Sequence, residues 1–115
     1  MAHQCLAEGA NGLVFWAHLA IKAMAWRDPF EKRWADVCRM AREVKERIPL
    51  FLSDEPAPPA KSSDPDVSVR AWRLGGKTHV LVVNDTYDAR EATVTVGADA
   101  RKVNLKSLEV LWYEL

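Results

Sequence analysis

Apolar positions at helical spacing mark the most clearly patterned segment of the chain, from about Pro29 to Ile48. They recur three and four residues apart along one stripe, while charged residues occupy the other faces. The start resembles a capping box, because Asp28 precedes a proline and Glu31 can reach back to it. The pattern predicts an amphipathic helix that Pro49 ends. The residues predicted to be buried along its stripe are Phe30, Trp34, Val37, Ala41 and Val44.

Alternating apolar and polar positions dominate the chain after residue 66. Val67–Leu74 alternates as a half-buried strand, and Gly75-Gly76 predicts a two-residue hairpin turn, since both positions need a positive φ. The return strand, Lys77–Asn84, is apolar on both sides through its middle, which predicts a central position in its sheet. Further strands are expected at 91–96, 102–105 and 108–115, enough for one antiparallel sheet or a small sandwich.

A Pro-rich segment separates these two patterns. Residues 53–66 contain four prolines with serines and charges and show no periodicity, which is typical of an extended linker. We therefore expect an α+β chain: a helical segment at 1–52 with one long amphipathic helix, the linker, and an antiparallel β-domain at 67–115. The long helix has the apolar stripe needed to cover a sheet.

The opening segment, EGANGLVFW, predicts a helix end, a tight turn and a fully apolar strand at Leu13–Trp16. Strands of this kind normally lie inside parallel sheets, and the chain supplies no parallel neighbour. Two outcomes are expected: the segment abandons strand geometry and joins the helical half, or it pairs across a homodimer interface. We favour the dimer.

The order of GANGLVFW, a capped helix ending in IPLFLS, a Pro-rich linker, VLVVN and a closing EVLWYEL resembles the C-terminal end of a β-galactosidase-like glycoside hydrolase. Such enzymes have a (β/α)8 barrel followed by an antiparallel β-domain. The resemblance implies that Met1–Ala10 is the tail of the seventh barrel helix and Leu13–Trp16 the eighth strand. It likewise implies that Pro29–Ile48 is the eighth helix and Val67–Leu115 the accessory sheet.

The resemblance also places the chemistry elsewhere. It implies catalytic glutamates at the ends of the fourth and seventh barrel strands, before Met1, so the chain alone is expected to be inactive. Trp16 matches an aromatic residue that stacks on the sugar ring in many such barrels, and the alternative is a core tryptophan. The implied function is a non-catalytic, carbohydrate-associated C-terminal fragment or accessory domain. The alternative is a free-standing small α+β interaction or binding module that forms a homodimer.

Composition excludes several other classes. Sixteen basic residues balance sixteen acidic ones, which argues against a nucleic-acid or anionic-membrane partner. No apolar run approaches the roughly 20 residues of a membrane helix, and no signal-peptide pattern opens the chain. Cys5 and Cys38 lie on apolar helix faces and are interpreted as buried free thiols. The cellular compartment stays open.

The remaining polar residues form no recognisable site. His3, His18 and His79 are too scattered for a metal site, and no cofactor motif is present. Asp85 and Asp88 flank a turn, and turn chemistry explains them better than calcium binding. Four further aromatic residues have two interpretations: an exposed sugar-binding face, or packing in the core, which we favour. These residues are Trp26, Trp72, Trp112 and Tyr113.

Overall fold

A computed structural model describes residues 1–14, 22 and 28–115 of the chain. The helices of the described residues are α1 (Ala2–Ala7), α2 (Phe30–Glu46) and α3 (Ile48–Phe51). The strands that follow are β1 (Ala60–Ser62), β2 (Val67–Leu74), β3 (Lys77–Asn84), β4 (Arg90–Val96), β5 (Asp99–Leu105) and β6 (Val110–Glu114). The chain is α+β, with an N-terminal helical segment followed by antiparallel sheet, and the predicted fold class is confirmed.

The strands form a small sandwich of two three-stranded antiparallel sheets, in the orders β1-β4-β5 and β2-β3-β6. Small branched side chains from both sheets meet between them, because alternate residues of each strand face the partner sheet. The buried residues of this inter-sheet core are Val67, Ala71, Val80, Val82, Ala92, Val94, Val96, Val103 and Leu105.

Strand β3 is central in its sheet, as its apolar middle predicted. Val80 and Val82 face the inter-sheet core, while Leu81 and Val83 face the opposite side. The hairpin before it is also as predicted: Gly75 and Gly76 have φ values of 60° and 79°. Glycine tolerates this left-handed conformation, and a two-residue turn of this kind sets the register of β2 against β3.

Helices α1 and α3 cover the outer face of the β2-β3-β6 sheet. They contribute Leu6, Ala7 and Leu50 to a second core that includes Leu81 and Trp72. The molecule therefore has three layers, with the β2-β3-β6 sheet in the middle and an apolar core on each side of it.

The long helix differs from its prediction, because α2 has no buried residue. Trp34 is 38% exposed, and Ala41 is exposed as well. Helix α2 reaches the second core through the partly buried Val44, while the short α3 supplies the buried leucine. The predicted burial of the stripe was therefore wrong. An apolar stripe indicates that a helix face needs a cover, but it does not indicate which element provides that cover.

Both predicted helix ends also differ. Pro29 is the N-cap residue of α2 and no side chain caps the helix, whereas Asp28 pairs with Lys32 at 3.2 Å. At the other end the backbone breaks at Arg47, and Pro49 lies in the first turn of α3. A proline is tolerated there because the first helical N–H groups have no intrahelical partner.

The Pro-rich segment lies against the sandwich. Ala60–Ser62 form β1, which pairs with β4. The Glu55 carboxylate accepts hydrogen bonds from the backbone N–H groups of Gly75 and Gly76, at 2.7 and 3.2 Å. The segment thus fixes the tip of the β2-β3 hairpin.

The predicted apolar strand at residues 13–16 is not formed where the structure describes it. Leu13 belongs to no strand and packs partly against the second core, whereas Val14 is 95% exposed. Leu13 therefore follows the first expected outcome, in which the segment joins the helical half. The rest of the segment, including Trp16, lies outside the described residues, and the homodimer stays a prediction. No helix in the described part of the chain is long and apolar enough to cross a membrane.

Candidate functional site

The structure describes only some of the residues that the sequence singled out. Trp16, the predicted sugar-stacking residue, lies outside the described residues, and so do Trp26 and His18. Cys5 and Cys38 are free thiols, as predicted, but Cys5 is exposed rather than buried and Cys38 is only partly buried.

The described tryptophans of β2 and β6 pack against each other and against Phe51. Trp72 is buried, and its ring centroid lies 5.3 Å from Phe51 and 5.8 Å from Trp112. Tyr113 points to the other side of the sheet, toward the inter-sheet core, and the Arg101 guanidinium lies 4.8 Å from its ring centroid. Trp72 is therefore a core residue, whereas Trp112 remains partly exposed at the edge of the aromatic cluster that it forms with Trp72 and Phe51.

The turn after β3 is organised by an asparagine. Asn84 is buried and donates from Nδ2 to the carbonyl oxygens of Asp88 and Lys106, at 2.8 and 2.9 Å. Its Oδ1 accepts from the Thr86 backbone N–H and hydroxyl. Asp85 instead accepts a hydrogen bond from Gln4. No group of three metal-ligating side chains occurs among the described residues.

Two concave surfaces lie beside the helices. The apolar groove, of about 390 Å³, runs between α1, the segment at residues 11–13, α2 and α3. Its apolar lining residues are Leu6, Leu13, Met40, Ala41, Val44, Ile48, Phe51 and Leu52.

The polar groove lies on the neighbouring face of α2, against β6. It consists of two hollows, of about 470 and 540 Å³, which share Glu46, Arg47 and Trp112. The first hollow is also lined by His79 and Glu114, and the second by polar residues of α1 and α2. These latter residues are His3, Asp36, Arg39 and Glu43.

Arg47 and Trp112 form the centre of the polar groove. The Arg47 guanidinium lies 4.8 Å from the Trp112 ring centroid, within the range of a cation–π contact. Arg47 Nη1 also donates to the Glu43 carbonyl oxygen at 3.0 Å, which fixes the side chain across the break between α2 and α3. The Trp112 Nε1–H is buried and has no hydrogen-bond partner among the described residues. A buried indole N–H without an acceptor is uncommon, because leaving it unpaired costs free energy.

A histidine–carboxylate pair lies in each hollow. His79 Nδ1 is 3.4 Å from Glu114 Oε1, because these residues are directly opposite in the β3-β6 register. His3 Nε2 is 3.5 Å from Glu43 Oε2. Burial lowers the pKa of His3 below 6.5; Glu43 opposes the shift, and the N-terminal amino group and Arg47 reinforce it. The arrangement offers hydrogen-bond donors and acceptors in a partly apolar setting.

Sequence reasoning missed the polar groove because it placed the charged residues of α2 on the faces outside the apolar stripe and assigned them no packing partner. The available signal was their spacing: Asp36, Arg39, Glu43 and Glu46 recur at helical intervals on one stripe. That stripe becomes part of a groove only because β6 pairs with β3 and brings Trp112 next to Arg47.

No protein-family model matches the chain, and no curated protein matches it significantly.

Proposed function

We propose that this chain is the non-catalytic C-terminal part of a glycoside hydrolase-like, carbohydrate-associated protein. In this proposal α2 is the last helix of a (β/α)8 barrel and the sandwich is its accessory β-domain. The observation that carries the proposal is the apolar groove, because α2 directs an apolar stripe to it that the sandwich does not bury.

The groove has the composition of a face that packs on other elements. Ala41 and Leu52 are exposed, and Ile48 is 45% exposed, although all three belong to one apolar surface. The outer helices of a (β/α)8 barrel bury such a stripe against the barrel strands. The occupant proposed for the groove is therefore the strand layer of the preceding barrel, and the closing sandwich packs on the opposite side through α1 and α3.

Two experiments test the assignment. The coding sequence upstream of Met1 should contain seven βα units, and the polypeptide that it encodes should bind this chain. The purified chain alone should not hydrolyse aryl-glycosides, because the catalytic carboxylates belong to the barrel. Turnover above a buffer blank that a single Asp or Glu substitution abolishes would contradict the proposal.

A hydrophobic dye provides the matched binding test. The isolated chain should bind the dye at the apolar groove, and Ile48→Lys should reduce that signal, because it places a charge in the groove. Arg42→Glu changes an exposed residue outside the lining of the groove and serves as the control. Adding the barrel polypeptide should displace the dye from the wild type; an unchanged signal would contradict the barrel as occupant.

The alternative is a free-standing α+β binding module that covers the same groove by forming a homodimer. Sedimentation separates the two proposals. A wild-type dimer that Ile48→Lys converts to a monomer would favour the module, whereas a monomer in both cases, together with barrel binding, supports the C-terminal fragment.

A further inference from the structure

The polar groove is a separate surface with its own chemistry. We propose that it is a binding site for a neutral sugar, recognised by Glu46, Arg47 and Trp112. In taking carbohydrate as the ligand class this inference rests on the proposed function, but it needs neither the apolar groove nor the barrel.

The size of the groove fits a small ligand. Each hollow, of about 470 and 540 Å³, lies within the roughly 300–1,000 Å³ that small-molecule sites occupy. The hollows share three residues, so they form one surface on both sides of the Arg47–Trp112 contact. A ligand of one or two rings can therefore contact the central residues from either side.

The charge of the groove selects against anions. Four carboxylates line it against two guanidinium groups, which disfavours an anionic ligand. A cationic ligand would have to replace Arg47, which already lies over the Trp112 ring. The charged residues are Asp36, Glu43, Glu46, Glu114, Arg39 and Arg47.

Hydrogen-bonding capacity favours a polyhydroxylated ligand. Glu46 makes no ion pair within the described part of the chain and can accept from hydroxyl groups, while Arg47 retains donors beyond the one it gives to Glu43. The Trp112 Nε1–H needs an acceptor. Neighbouring hydroxyls of a sugar both donate and accept, so one ring can satisfy all three side chains.

A ligand that contacts the Trp112 ring on the Arg47 side must displace the guanidinium. The guanidinium lies 4.8 Å from the ring centroid, and a cation–π contact at a partly exposed site is weak enough for a ligand to displace. We expect the guanidinium to shift from the ring to a sugar hydroxyl when the ligand binds. The sugar ring then gains an apolar face to contact and an N–H donor at its edge.

The test is a ¹H–¹⁵N titration of the full chain with D-galactose, D-glucose and D-mannose in turn. The Trp112 indole resonance, assigned by its loss in Trp112→Phe, should shift with at least one sugar, while the buried Trp72 indole should not. Glu46→Gln and Trp112→Phe should each weaken binding by about three- to tenfold, as loss of one hydrogen bond predicts. Glu91→Gln on the distant β4 should bind as the wild type does.

Sodium D-glucuronate and choline chloride provide the charged probes, and both should bind more weakly than the neutral sugar. Tighter binding of either charged probe would overturn the inference, and so would unperturbed spectra with all three sugars. Equal affinity in the wild type, Glu46→Gln and Trp112→Phe would overturn it as well. The spectra of the variants show directly whether they remain folded. If the chain binds sugar but not the barrel polypeptide, only the proposal of a C-terminal fragment is contradicted. If it binds the barrel polypeptide but no sugar, only the proposed sugar site is contradicted.

Discussion

Asn84 shows how a single buried polar residue can position a whole turn. It is 1% exposed, and its amide bonds both the loop between β3 and β4 and the Lys106 carbonyl in the loop between β5 and β6. Asn84→Ala removes the donor to the Lys106 carbonyl and the acceptor of the Thr86 N–H, and it leaves the Asp88 carbonyl with the Thr86 hydroxyl as donor. We therefore expect it to destabilise the chain by about 3 kcal/mol. Urea unfolding measures this difference. Asn104→Ala, at an exposed position of β5, is the matched control and should change stability by less than about 0.5 kcal/mol. Equal losses of stability in both variants would show that the Asn84 hydrogen-bond network is not stabilising.

His3 makes stability depend on pH in a defined direction. Because burial lowers its pKa in the folded chain, the unfolded chain takes up the proton first as the pH falls. The contribution is complete above the unfolded value of 6.5 and is lost as the pH falls through the lower folded pKa. Glu43 reduces the effect, whereas Arg47 and the N-terminal amino group increase it.

His3→Gln removes this titrating group and should reduce the loss of stability as the pH falls below 6.5. Denaturant midpoints measured across this range provide the comparison. Two profiles that fall in parallel would show that other groups cause the acid sensitivity.

At the scale of elements, the strands were more predictable than the long helix. The bounds of β2 and β3 match the sequence prediction, because alternation and a Gly-Gly turn are local signals that set length and register together. The helix pattern was equally regular, but its burial depended on partners distant in sequence. The break at Arg47 and the short α3 that follows decide which side chains reach the sheet, and no periodicity within α2 specifies them.

Two leucines at the end of the helical segment test this account. Leu50 is 5% exposed in the second core, while Leu52 is 69% exposed. Leu50→Ala should destabilise by about 3 kcal/mol because it opens a cavity, whereas Leu52→Ala should change stability by less than about 0.5 kcal/mol. Thermal or urea unfolding of the two variants distinguishes them. A larger loss for Leu52→Ala would mean that α3 does not cover the sheet as described.

At the scale of the whole molecule, the candidate site could not be predicted because its residues meet only after the layers assemble. Arg47 follows α2, Trp112 is in the middle of β6, and His3 belongs to α1. The α+β class was predicted, and the sandwich was one of the two expected sheet arrangements, because both follow from patterns within single elements. The polar groove depends on pairing of β6 with β3 and on packing of α1 against α2, which are contacts between distant parts of the chain.

Because β3 contributes to both cores, the helical layer and the sandwich should unfold together. Val82 is fully buried in the inter-sheet core, and the adjacent Leu81 is fully buried in the second core. Val82→Ala should destabilise by about 2 kcal/mol, and the loss should extend to the helices, although Val82 does not face them. Hydrogen exchange under native conditions measures both layers at once. The free energy of opening of the slowest-exchanging amides should fall by the same amount in β4 and in the helical layer. Loss confined to the sandwich strands would show instead that the helices open independently, and that the sheet shared between the two cores does not couple them.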